Sequence, residues 1–102
     1  AIIVQREFAQ NNKEALEKFL EEYKESVDFV NSNQDEAAEL IAKFEILPNP
    51  QVAKNAIPYS NIVFIDAMDI RADLEEYFSI LFDFEPKSIG GKMPQDDFYY
   101  QR

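Results

Sequence analysis

The side chains best suited to chemistry in this 102-residue sequence include two pairs of aspartates. Asp66 and Asp69 are three residues apart, and Asp96 and Asp97 are adjacent, so each pair offers carboxylates for acid/base work or for a hard cation. Neither pair has the alternating ligands and central glycine of a calcium-binding loop. We therefore interpret the first pair as helix caps and the second as solvated charge, and we predict no catalytic residue and no metal site.

A short polar run is the better candidate for binding a small molecule. Tyr59, Ser60 and Asn61 place two hydroxyls and an amide in an irregular segment before an apolar run. Such groups can converge on a ligand, and they are also typical of ordinary turns with satisfied backbone bonds. Both interpretations remain open, and these three residues are the candidate ligand-binding residues.

Other kinds of site lack the residues that they need. The sequence has neither histidine nor cysteine, which closes two common routes to a metal site or a nucleophilic dyad. Gly90 and Gly91 are its only glycines, and no Lys-Ser/Thr follows them in the frame of a phosphate-binding loop. We predict no cofactor.

The charge argues against two classes of partner. Twenty acidic and ten basic residues give a net charge of -10, and no Lys/Arg cluster exists to displace counterions from a nucleic acid or to bind an anionic membrane. No apolar run approaches the roughly 18 residues of a membrane span. The sequence therefore predicts no nucleic-acid partner and no membrane insertion by this segment.

The hydrophobic spacing predicts mostly helices. The longest runs from Asn11 or Asn12, either of which can cap its start, to Asn31–Asn33. It carries a stripe of apolar residues at helical spacing: Leu16, Phe19, Leu20, Tyr23, Val27 and Val30. A second helix is predicted from a capping-box-like start at Asn33 and Glu36. A third begins with Asn49 as cap and Pro50 at the first helical position, and it ends near residues 55 and 56.

Two apolar runs are predicted to be short strands, and one more helix follows them. Residues 1–8 and 62–65 are rich in β-branched residues. The last helix is capped by Asp66 or Asp69, carries its apolar face on residues 70–81, and stops at Pro86. The fold class predicted from these patterns is mainly α with one or two short β-strands.

The tail is predicted to be an extended strap over residues 86–102. Gly90 and Gly91 permit positive φ or a tight reversal, and Pro94 stiffens the chain after them. Phe98, Tyr99 and Tyr100 then offer large burial at low entropic cost. We expect the strap to dock against the helices instead of fraying.

Four phrases of the sequence match one protein family. Residues 4–8 read VQREF, residues 12–16 NKEAL, residues 33–38 NQDEAA, and residues 88–100 SIGGKMPQDDFYY. The chain resembles the C-terminal portion of a solute-binding protein of a bacterial ABC importer, in the branch akin to nitrate, sulfonate, taurine and thiamine-precursor binding proteins. Family members show V-x-R-x-F, NPEAV and N-x-D-E-A-A, with Lys13 here replacing a frequent proline, and one subgroup ends in GGKLPDDDFYY.

The resemblance implies a fold, a location and partners. It implies a fragment of an α/β two-lobed periplasmic-binding-protein (type II) fold, so that residues 1–102 form a single partial domain. It implies an extracytoplasmic protein, lipid-anchored through an absent N-terminal region, and the start on Ala1 agrees with a fragment. The implied partners are a small organic solute, the ABC permease and the remainder of the solute-binding protein, and the implied role is binding without catalysis.

The sequence also supports an alternative of a different class. Helices that evolved to pack on a sheet located elsewhere expose apolar faces, which predicts homo-oligomers or a rearranged bundle. The alternative is therefore a helical protein-interaction or self-associating module without small-molecule binding.

Overall fold

The computed structural model describes all 102 residues and confirms that the chain is mainly α. Helices of both kinds, α and 3₁₀, account for 66% of the residues, and no strand is present. The five α-helices, in chain order, are α1 (Arg6–Asn11), α2 (Lys13–Ser32), α3 (Gln34–Lys43), α4 (Pro50–Ala56) and α5 (Arg71–Phe84). Three short 3₁₀ helices cover Ile57–Tyr59, Pro86–Ile89 and Asp96–Phe98. None of them is both long enough and apolar enough to cross a bilayer.

The chain divides into two compact units, Ala1–Phe64 and Ile65–Arg102. The first unit contains α1 to α4, and the second contains α5 and the C-terminal strap. The assignment of the whole chain to one partial domain stays a prediction.

The core of the first unit is built around small residues. Ala37 and Ala38 of α3 are buried with Ala53 of α4 and Ile57, which follows α4 in a single 3₁₀ turn. Alanines at the contact allow the two short helices to approach closely, so they bury backbone as well as methyl groups. Three partly buried residues complete the cluster, namely Val30, Ile41 and Ile62.

The predicted stripe of α2 is buried only in part. Leu16, Leu20 and Val27 are buried, but Phe19 and Tyr23 on the same stripe are exposed. The predicted boundaries of this helix are confirmed within a residue or two. Its C-terminal end is tied to the end of the unit, because the Asn31 side chain donates a hydrogen bond to the carbonyl of Ile62 at 2.8 Å.

The prediction of short strands is wrong. Residues 1–5 have no regular structure and residues 6–11 are helical, while residues 61–66 have no regular structure either. Strand formation needs a neighbouring strand to accept and donate ladder hydrogen bonds, and a β-branched run without such a partner stays irregular. The apolar pattern therefore identified two segments with strand-like sequences, but the structure contains no sheet with which they could pair.

Side-chain capping follows the prediction at α4 and departs from it at α2 and α3. The backbone amide of Gln51 donates to Oδ1 of Asn49 at 2.9 Å, with Pro50 at the start of α4 as predicted. The capping box at Asn33 is absent, because the Asn33 side chain donates instead to the carbonyl of Phe29, at the end of the preceding helix. Asn12 similarly donates to the carbonyl of Phe8.

Helix α5, in the second unit, is preceded by a backbone turn and has no aspartate side chain as its cap. Ile70 precedes α5 without any side-chain cap, so the capping role predicted for Asp66 or Asp69 is wrong. The Asp66 carbonyl accepts the backbone amides of Asp69 and Ile70, which satisfies those donors locally. The helix ends at Phe84, two residues before Pro86, as predicted.

The contrast between Asn49 and Asn33 gives a stability test. Asn49→Ala removes a side-chain acceptor from the first turn of α4, so we expect the free energy of unfolding to fall by about 1 kcal/mol. Asn33→Ala removes only a long bond to the Phe29 carbonyl, and we expect a change within about 0.5 kcal/mol. Urea unfolding followed by circular dichroism measures both, and equal losses in the two variants would contradict the assignment of the cap.

Candidate functional site

The three residues predicted to bind a ligand form one turn, but only some of their polar groups are available to a ligand. Tyr59 is 87% exposed and ends the 3₁₀ turn after α4. The Ser60 hydroxyl donates to the Ala56 carbonyl at 2.7 Å, so its proton is used within the chain. Asn61 has a φ of 49°, a left-handed conformation that asparagine tolerates better than most residues. The segment is thus a turn that leaves the Tyr59 ring open to solvent.

A shallow groove lies elsewhere in the first unit, between α3 and α4. Its volume is about 650 Å³, and its walls include Asp35, Glu39, Leu40, Pro50, Gln51 and Lys54. Lys54 Nζ and Asp35 Oδ1 form an ion pair at 2.8 Å on its rim. The polar groups on the rim are solvated, and Tyr59 to Asn61 do not line the groove. The groove and the predicted residues therefore do not form one site.

The most connected group of polar and aromatic side chains lies in the second unit, around Arg71. Nε of Arg71 donates to Glu75 Oε1 at 2.7 Å, one helical turn along α5, and Nη2 donates to Asp96 Oδ1 in the strap. The guanidinium carbon also lies 4.7 Å from the centre of the Tyr99 ring. One cation thus joins the start of α5 to an acidic and an aromatic residue of the strap.

Aromatic contacts extend this attachment along α5. The Phe98 ring meets the Phe78 ring edge to face, with centroids 6.0 Å apart, and it meets Tyr99 in the same way at 5.2 Å. These are the separations and angles at which aromatic quadrupoles attract. Tyr99 is 5% exposed, whereas Phe98 is more than half exposed, so Tyr99 is the buried anchor of the strap.

Electrostatics around Arg71 favours its charged form and the neutral form of Tyr99. The hydrogen bond to Asp96, and after it the bond to Glu75, raises the pKa of the Arg71 guanidinium above its ordinary value. Burial raises the pKa of the Tyr99 phenol, and the nearby charge of Glu75 raises it further against the opposing effect of Arg71. The phenol oxygen is buried without a hydrogen-bond partner.

One aspartate of each pair has a structural role that the sequence interpretation did not assign. Asp96 is paired with Arg71 rather than merely solvated. Asp66 lies 3.4 Å from Nη1 of Arg102. Arg71 itself was missed by the sequence reasoning, although its spacing from Glu75, four residues on, is a signal for an ion pair on a helix.

The glycines adopt the conformation that their sequence position predicts. Gly90 and Gly91 have φ angles of 81° and 83°, and nothing lies where a side chain would project from either of them. The amide of Gly91 donates to the Pro86 carbonyl at 2.8 Å, which closes a tight turn after α5. The turn reverses the chain and sends residues 92–102 back along the helix toward Arg71.

Tyr99 supplies a test of this cluster. Because its phenol has no partner, we expect Tyr99→Phe to leave the free energy of unfolding unchanged or to raise it by up to about 1 kcal/mol. Tyr99→Ala removes the buried ring and is expected to cost about 3 kcal/mol. Urea unfolding at pH 8 is the measurement, and a loss above about 1 kcal/mol in Tyr99→Phe would show that the hydroxyl is bonded.

The raised pKa of Tyr99 also predicts the sign of a pH effect. The unfolded chain ionises its tyrosine near the ordinary value of about 10, before the folded chain does, so ionisation favours unfolding. The stability due to the neutral phenol is fully present below that value and is lost as the pH rises toward the higher pKa of the folded state. The Tyr99→Phe variant should therefore lose less stability than the wild type between pH 8 and 11, and equal losses would contradict the burial of this phenol.

Comparisons with known protein families, with curated proteins and with solved structures found no match to this chain. Its function must therefore be inferred from residue chemistry and from the geometry described above.

Proposed function

We propose that this chain is part of one lobe of a solute-binding protein of an ABC importer. In this proposal a small organic solute binds between two lobes, the lobes close on it, and the permease recognises the closed form. The chain contributes helices and one wall of the cleft, and the rest of the protein contributes the sheet and the other lobe. The protein is extracytoplasmic and has no catalytic step.

The observation that carries the proposal is the imbalance between buried and exposed apolar side chains. Eight hydrophobic residues are buried, whereas twenty large hydrophobic residues are exposed. No residue of α5 is buried, although the helix carries an apolar face that includes Phe78 and Leu81. Phe84, at the end of the helix, is 89% exposed. Such faces are typical of helices that pack on another body. The sheet of an α/β lobe is a body of that kind.

The irregular apolar segments support the same proposal. Residues 1–5 and 61–66 have strand-like sequences but no strand partner within the chain. In an α/β lobe, parallel strands alternate with helices and are paired by neighbours that are distant in sequence. Pairing with such neighbours would give these backbone groups the ladder hydrogen bonds that they lack here. The phrases VQREF and SIGGKMPQDDFYY, which resemble the importer family, lie near the two ends of the sequence.

Tyr59 is the residue that we propose to contact the solute first. It is the most exposed of the three candidates, and its ring and hydroxyl offer both an apolar face and a polar tip. Asn61, whose φ is positive, offers a side-chain amide that can donate or accept a hydrogen bond. The Ser60 hydroxyl already donates to Ala56, so it can serve a solute only as an acceptor.

The test uses the complete product of the gene that encodes this chain. We expect its reading frame to contain an α/β lobe region, and we expect the purified product to be stabilised thermally by one of three probes: taurine, nitrate or the pyrimidine precursor of thiamine. Tyr59→Ala should weaken binding of the active probe about tenfold or more, and Tyr59→Phe should weaken it less because the ring remains.

Two results would overturn the proposal. One is a gene product without any α/β region beyond these helices. The other is a complete product that none of the three probes stabilises, while the 102 residues alone bind a protein partner.

An aromatic row in the first unit, in which Phe19 and Tyr23 are exposed and Phe64 is partly buried, favours a second function. Phe19, Tyr23 and Phe64 follow one another with ring centroids 6.0 and 6.2 Å apart. Aromatic rings of this kind dominate the energetics of protein interfaces. In this second proposal the chain is a helical interaction module that docks a partner or a second copy without binding a small molecule. Binding measurements separate the two proposals, because the importer component binds a solute only when the remaining lobe is present, whereas the module binds its protein partner through the 102 residues alone.

A further inference from the structure

The C-terminal strap sits on α5 in the manner of a peptide ligand on a receptor. Its residues make three contacts of different kinds with one face of the helix, which we call the Arg71 face and define as Arg71, Glu75 and Phe78. Asp96 accepts a hydrogen bond from Arg71, Tyr99 lies under the guanidinium, and Phe98 packs on Phe78. We propose that the Arg71 face is a binding site for acidic-aromatic peptide segments and that the strap occupies it as an intramolecular inhibitor.

The chemistry of the bound segment defines the class of competitor. The strap places a carboxylate two residues before a pair of aromatic rings, in the order Asp96, Phe98, Tyr99. The carboxylate binds one edge of the guanidinium and an aromatic ring covers its plane, which are the two modes of recognition that arginine offers together. A partner segment with an acidic residue and two aromatic residues at this spacing can repeat every contact. In a chain with a net charge of -10, Arg71 supplies the positive charge that an acidic segment needs.

The strap is held in a way that permits release. The Asp96 side chain is 91% exposed, so its ion pair with Arg71 faces water and is weakened by salt. Phe98 is also half exposed, which leaves the burial of Tyr99 as the main attachment. Gly90 and Gly91 lie within the strap, ahead of its contacts with α5, and glycine populates positive and negative φ about equally well, so the turn at these residues can change its backbone angles at little cost.

Opening of the strap and binding of a partner are therefore linked. A competing segment binds only the fraction of molecules whose strap is open, so its apparent affinity is reduced by that fraction. Any change that opens the strap without touching the Arg71 face must then strengthen binding of the competitor. This inference concerns the second unit by itself and does not depend on the proposed role in solute import.

The test measures binding of a labelled peptide with the sequence of residues 95–102, QDDFYYQR, to the full 102-residue chain by fluorescence anisotropy. Asp96→Asn removes one contact of the chain's own strap and leaves the peptide intact, so we expect it to bind the peptide about threefold more tightly than the wild type. Glu76→Gln changes an exposed carboxylate of α5 by the same charge and should bind like the wild type. Adding Arg71→Ala to Asp96→Asn should abolish binding.

Hydrogen exchange supplies a second readout in the same variants. The Phe98 and Tyr99 amides bond to the carbonyls of Gln95 and Asp96, and we expect them to exchange faster in Asp96→Asn than in Glu76→Gln, while α5 stays protected. A Tyr99→Ala variant opens the strap more fully, and protection of its α5 amides shows whether the receptor helix remains folded.

Three results would overturn the proposal. The first is a peptide affinity that is the same in the wild type, Asp96→Asn and Tyr99→Ala. The second is binding that survives the loss of Arg71. The third is a concentration-dependent dimer of the strap variants that does not bind the peptide, because the Arg71 face would then serve strap exchange between two copies.

Discussion

Covering apolar helix surface is the physical constraint on which this structure depends. Burial of apolar area supplies most of the favourable free energy of folding, and a chain of this size has little area to spare. The first unit meets the constraint with Ala37, Ala38 and Ala53, whose small side chains let backbone atoms share the burial. The second unit meets it with one large ring, Tyr99, laid against α5 by a strap.

Local signals in the sequence predicted the helices well, because the residues that decide a helix lie within a few positions of one another. Asn49 followed by Pro50 is such a signal, and α4 begins there with the expected hydrogen bond. The same residue type failed as a signal at Asn33, where the end of one helix and the start of the next meet. The Asn33 side chain donates to the Phe29 carbonyl at the end of α2 instead of accepting an amide of α3. The spacing of residues does not show which of the two helices it will bond to.

The strands could not be predicted correctly from β-branched runs alone. A helix satisfies its own backbone, but a strand requires a partner, and whether a partner exists is a property of the whole chain. Residues 62–65 illustrate the difference, since Ile62 is held by the Asn31 side chain instead of by a neighbouring strand. For the candidate site, the exposed ring of Tyr59 agrees with a turn that can offer polar groups. The cluster around Arg71 was missed because Arg71 and its strap partner Asp96 lie 25 residues apart in sequence.

Phe98 and Tyr99 are adjacent in the strap, yet one ring is exposed and the other is buried. A 3₁₀ turn at Asp96–Phe98 rotates successive residues by about a third of a turn, so neighbouring side chains cannot share one face. Tyr99 consequently enters the contact with Arg71 while Phe98 stays half exposed beside Phe78. A strap built to be permanent would bury both rings. Because Tyr99 is buried and Phe98 is exposed, a competing segment can first replace the Phe98 contact and then displace the rest of the strap.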